Sequence, residues 1–93
     1  MTRILAPLVL SLMIGQTANA ACYADYKAKQ DDPLRLHYGV AEVFGACRAD
    51  AALVELGPRL AQDGWTVLTV VSVFDAGGLD QRRDSAGPNF LRY

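Results

Sequence analysis

Two cysteines, Cys22 and Cys47, constrain this 93-residue chain more than any other feature, because pairing them closes a 26-residue loop (22 to 47 inclusive) in a molecule with room for one small core. Whether they pair depends on the redox compartment, and the first twenty residues bear on that. They have a basic start at Arg3, an apolar run from Ile4 to Ile14 and a small-residue exit at Ala18-Asn19-Ala20. Those are the three parts of a secretory signal, with cleavage expected after Ala20. Eleven residues at about 1.5 Å each reach roughly 16 Å as a helix, well short of a ~30 Å hydrocarbon layer, so no stable membrane insertion is expected after cleavage. The expected location is the periplasm or the exterior.

In an oxidising compartment the only intramolecular pairing is Cys22 with Cys47, and closing that loop contributes about 3 to 4 kcal/mol in the chain-entropy model. A redox-active pair is the rival, but such pairs usually sit as C-x-x-C at a helix start, and here 24 residues intervene. A second rival is a lipoprotein acylated on Cys22. Asn19 occupies the position where a lipoprotein signal has a large apolar residue. Removal of the first 20 of 93 residues leaves 73, with 8 basic and 10 acidic side chains and a net charge of −2. A mildly acidic surface argues against nucleic acid or anionic lipid as the main partner.

Segment 21–33 is polar and mixed in charge, read as an N-terminal segment with a helical turn around Tyr23 to Lys29, stopped by Pro33 and held to the rest by the disulfide. The domain proper is expected over 34–93. Leu34, Leu36, Tyr38 and Val40 alternate with Arg35, His37, Gly39 and Ala41, the period of a half-buried strand over Leu34 to Phe44. Asp50 is the expected N-cap of a helix starting at Ala51, with Leu53, Leu56 and Leu60 as its apolar stripe. Pro58 predicts a kink near Glu55 to Gly57, or two short helices. Gly64 is the expected left-handed stop, and Trp65 to Phe74, apolar on both faces, reads as a central strand. Asp75 to Gly87 reads as a surface connection with one helical turn from Leu79 to Arg83, and Asn89 to Tyr93 as a terminal strand.

The run LAQDGWTVLTVVSVF resembles the bacterial domain of unknown function family 4177, whose members commonly read Glu-Gly-Trp-Glu-Leu-Val at this point. That resemblance covers roughly Leu36 to Tyr93, and Gly57-Pro58 departs from the uninterrupted helix it implies. Ala21 to Tyr26, Asp31 to Val40 and the terminal Leu91-Arg92-Tyr93 are similar to uncharacterised small exported proteins of alphaproteobacteria. Neither resemblance implies an activity or a set of catalytic residues.

His37 is the only histidine, so a hydrolase triad, a Cys-His dyad or a multi-histidine zinc site would have to pass through it. It is read as a solvent-facing residue on the polar face of the first strand. Asp31, Asp32, Asp75, Asp80 and Asp84 match no alternating cation loop, and neither a metal nor a cofactor is expected. Gly77, Gly78, Arg82 and Arg83 form the candidate anion-binding loop, since glycine N–H groups and two guanidinium groups suit a phosphate or carboxylate. Its bland alternative is an exposed basic dipeptide balanced by Asp80 and Asp84. Tyr23, Tyr26, Tyr38, Trp65, Phe74, Phe90 and Tyr93 are expected to serve mostly as core and not as a stacking platform.

The sequence therefore predicts an α+β fold in the order β-α-β-β, a three-stranded sheet with one kinked helix or two short helices on one face. The first strand and the Trp65 strand would pair in parallel across the helix, and the terminal strand would complete an antiparallel hairpin. Functionally it predicts a non-catalytic binding or accessory module of the cell envelope, working on an envelope protein or small ligand. The alternatives are a small carrier or enzyme using the Gly77-Gly78/Arg82-Arg83 loop with His37, and a structural partner that offers a sheet edge.

Overall fold

The computed structural model describes residues 21–93, and the expected signal segment 1–20 lies outside them. Strand β1 (Cys22–Gln30) is followed by β2 (Arg35–Val43), helix α1 (Ala49–Ala61), β3 (Thr66–Phe74) and helix α2 (Leu79–Ala86), with a 3₁₀ turn on either side of α2. The three strands form one antiparallel sheet in the order β2-β1-β3. The fold is α+β, with a three-stranded sheet as predicted, but the strands come in a different order. Segment 21–33, read as an N-terminal segment with a helical turn around Tyr23 to Lys29, instead supplies the central strand of the sheet. Asn89 to Tyr93 adds no strand: it makes one parallel bridge, Phe90 to Val40.

β1 alternates Cys22, Ala24, Tyr26 and Ala28 with Tyr23, Asp25, Lys27 and Lys29. The first set faces α1 and is buried. Their partners on β2 are Val43, Ala41, Gly39 and His37, and on β3 Val73, Val70 and Val67 stand opposite Ala24, Tyr26 and Ala28. Directly opposed residues share a face, so the layer beneath α1 is built on small β1 and β2 residues and a valine row on β3. The expected polarity of β2 is thereby reversed. The face with His37, Gly39 and Ala41 lies under α1, and the face with Leu36, Tyr38 and Val40 lies on the other side.

Gly39 fits this layer because the Tyr26 ring lies over it; a Cβ there would come within 2.5 Å of Tyr26 Cζ. The valines recur every third residue because β3 slips register against β1 twice, once between the Asp25 and Tyr26 pairs and once between the Lys27 and Ala28 pairs. Each slip inserts one extra residue, Val71 and then Leu68, in the manner of a β-bulge. The β-branched run read as a doubly buried central strand is thus an edge strand, none of whose side chains is fully buried.

Helix α1 buries Ala52, Leu56 and Leu60, spaced by four. It runs unbroken through Pro58. That proline removes one bond, to the carbonyl of Val54 on the exposed side, where water can take the acceptor, so two separate helices are not needed. The helix begins after Arg48, and the Asp50 carboxylate instead accepts from Ala51 N–H and Arg48 Nε. Gly64 adopts the expected left-handed conformation, φ 82°, and the Trp65 N–H closes back onto the Leu60 carbonyl.

The Cys22–Cys47 disulfide is formed, with Cα atoms 5.9 Å apart, and ties the start of the central strand to the loop entering α1. Because the loop it closes spans 26 residues, Cys47→Ser is expected to lower the unfolding free energy by about 2 to 5 kcal/mol. A urea midpoint that is the same with and without reductant would show that the bridge contributes nothing.

Candidate binding face

The sheet face opposite α1 is divided in two. At one end α2 lies across it, burying Val40 and Ala86, and a polar pin holds it there. The pin is Asp25 on the central strand, 5% exposed. Its Oδ2 accepts from Tyr38 Oη on β2 at 2.7 Å and from Arg82 Nε on α2 at 3.1 Å, and its Oδ1 accepts from Ser72 Oγ on β3 at 2.7 Å. A buried carboxylate needs such company. Burial alone pushes its pKa up, but the hydrogen bonds from Ser72, Tyr38 and Arg82, with the Arg82 charge, outweigh burial and hold it below the ordinary value. Burial and the Asp25 carboxylate push Tyr38 up to about 12, which keeps its hydroxyl protonated as a donor. With three donors on it and no open approach, Asp25 is a joint between four elements and not a reactive base.

Arg82 is therefore spent inside the molecule: its guanidinium also donates to the Gly78 carbonyl and stacks 3.9 Å above the Phe74 ring centroid. Gly77 N–H donates to the Asp75 carboxylate and Gly78 N–H to the Asp75 carbonyl. Arg83 pairs with Asp80 and lies over Phe90. The structure turns the donors of Gly77, Gly78 and Arg82 onto internal partners and leaves Arg83 in an exposed pair with Asp80, so these four residues do not form the expected anion cradle. The sequence could not show this, because what consumes Arg82 is Asp25, 57 residues away.

At the other end the same face is bare. Leu36 on β2 is 66% exposed and Leu68, at a bulge of β3, is 50% exposed; Lys27 stands between them on β1. With Tyr38, and with residues Ala28 and His37 whose side chains point to the α1 side, they line a groove of about 380 Å³. Lys29 is paired with Asp31, whereas Lys27 has no ion pair among the described residues. Exposed leucine at Leu34 extends the apolar surface past the β1–β2 turn. An apolar trough with one unpaired ammonium in its floor suits an apolar segment that carries an acidic group. None of Lys27, Leu36 and Leu68 was singled out from sequence. The available signal was a strand whose leucines and core-facing small residues occupy opposite faces.

His37 does not face solvent. Its Nε2 shares a 3.0 Å hydrogen bond with Tyr26 Oη, its ring meets Trp65 edge-on at 4.2 Å between centroids, and Tyr93 lies nearly parallel at 6.2 Å. Its Nδ1 is buried and has no partner among the described residues. Trp65 packs against the core cluster that contains Leu56 and Leu60, in keeping with its reading as core. All seven aromatic residues read as core are buried or half-buried, and the exposed one is Phe44.

Burial pushes the His37 pKa down, and nearby Arg92 adds to the shift. An imidazolium would need two acceptors here and finds one. Because the folded pKa lies below that of the unfolded chain, the fold binds fewer protons between the two values. Stability is therefore expected to fall as pH drops below about 6.5 and to level off beneath the folded value. Urea midpoints at pH 7.5 and 5.5 check this, and His37→Gln should flatten the difference.

Among the described residues no helix is long and apolar enough to cross a membrane. Comparison with protein-family models, curated proteins and solved structures finds no match in any of the three.

Proposed function

We propose that this chain is an exported, non-catalytic binding module of the cell envelope, and that its ligand surface is the half of the sheet face that α2 leaves bare. The observation that carries the reading is the contrast within one face. One end is sealed by a helix pinned through Asp25, while the other presents Leu36 and Leu68 around an unpaired Lys27. Leaving leucines in water forgoes burial worth roughly 1.5 to 3 kcal/mol each, and a partner that covers them recovers it. The disulfide and the signal-like first twenty residues support an oxidising location. The ligand that fits is an extended apolar segment of an envelope protein with a carboxylate placed to meet Lys27. The Lys27 ammonium orients it, and the leucines supply most of the affinity.

A photocrosslinking amino acid placed at Leu36 in the native envelope should give a discrete adduct that Lys27→Glu diminishes. The same group at Val54, on the outward side of α1, should give none. Equal labelling from both positions, or none from Leu36, would overturn the reading.

A further inference from the structure

The two edges of the sheet are treated differently by the chain itself. On β2 the outward carbonyl of Val40 accepts from Leu91 N–H at 2.8 Å, and that of Glu42 accepts from both terminal nitrogens of Arg59 at 3.0 Å. On β3 no backbone group is taken up by another element beyond β1 among the described residues; the Val70 carbonyl only receives a long 3.5 Å contact from the Thr69 hydroxyl of its own strand. Its nine residues, TVLTVVSVF, contain no charge, proline or glycine, three of the devices that keep an edge from pairing; the bulges at Leu68 and Val71 are the one such device it carries.

We infer that β3 is a homodimer interface, pairing antiparallel with β3 of a second copy about a twofold axis at Val70. The register follows from the spacing. Val67, Val70 and Val73 face α1 at intervals of three, because Leu68 and Val71 are extra residues. An antiparallel copy has the same interval read backwards, so Val67 stands opposite Val73 of the second copy and Val70 opposite its own counterpart, and both helix layers lie on one side of a six-stranded sheet. The bulges that put β3 out of step with β1 thus occur in matching numbers on both strands. Because the β2 edges are occupied, pairing through β3 closes at two chains and does not propagate.

α1 packs against β3, so the same axis brings the two helices side by side. At 100° per residue, Leu53 and Gly57 lie on the flank of α1 opposite Glu55 and Arg59, which reach toward β2. Gly57 is a helix-interior glycine with nothing within 4 Å of the Cβ it lacks, so its own chain does not require it; close approach of a second helix would. The inference does not depend on what occupies the bare face.

Sedimentation of the full oxidised chain at tens of micromolar should give twice the single-chain mass. In the stated register Thr69 meets Val71 of the second copy, and both residues are exposed, so substitutions there spare the fold. Val71→Lys should weaken the dimer roughly tenfold, because its two symmetric contacts each lose a packed β-branched valine–threonine pair. Thr69→Asp in the same chain should restore it by placing opposite charges across the interface twice. A monomer for the unaltered chain, a dimer indifferent to Val71→Lys, or a double variant no tighter than the single would each overturn the proposal.

Discussion

Asp25→Ala is expected to lower the unfolding free energy by about 3 to 5 kcal/mol, near the whole stability of a domain this small. The loss comes less from the missing bonds than from what stays behind: a guanidinium under partial cover, and two hydroxyls on β2 and β3 whose acceptor is gone. Replacing both charged partners, as in Asp25→Leu/Arg82→Met, should recover much of the loss, which urea unfolding of the single and double variants would reveal. If the single variant unfolds at the unaltered midpoint, the pin is not holding α2. The same carboxylate sets an acid limit. With its folded pKa below the ordinary value, its contribution is complete above about pH 4 and is lost as pH falls through the folded value, a window separate from the histidine step.

Tyr26→Ala is the second large effect, about 3 to 5 kcal/mol, because a fully buried ring on the central strand touches the α1 layer, Gly39 and His37 at once. Tyr26→Phe removes only the hydrogen bond to His37 and should cost about 1 kcal/mol. Gly39→Ala should cost about 1 to 3 kcal/mol, since its methyl enters the volume of the ring. The two sites are one packing unit, so Gly39→Ala should be nearly free in the Tyr26→Ala background. Strict additivity in that cycle would show that the ring does not occupy the space above Gly39.

Much of the fold was legible locally. The alternation over β2, the stripe of Leu56 and Leu60, the left-handed Gly64 and the strand after it are short-range signals, and each element forms within a few residues of its expected limits. The central strand was missed because Cys22, Ala24, Tyr26 and Ala28 do alternate, but through alanines of low strand propensity set among Asp25, Lys27 and Lys29. Charged residues on one face of a middle strand read as surface. They are tolerated here because Asp25 is met by three donors and the lysines lie toward the end of that face that α2 leaves bare.

By itself the sequence determined β2, α1 and β3, the single cysteine pairing open to it and the aromatic core, because all of these depend on composition, on neighbours or on there being one partner to choose. Strand order, the face of β2 that meets α1, the burial of His37 and the fate of Arg82 were decided by the tertiary structure. Each of those turns on a contact between residues distant in the chain. A period of two shows that a strand has two faces without saying which is covered, and an arginine in a glycine-rich loop looks free until the strand bearing Asp25 is placed beneath it.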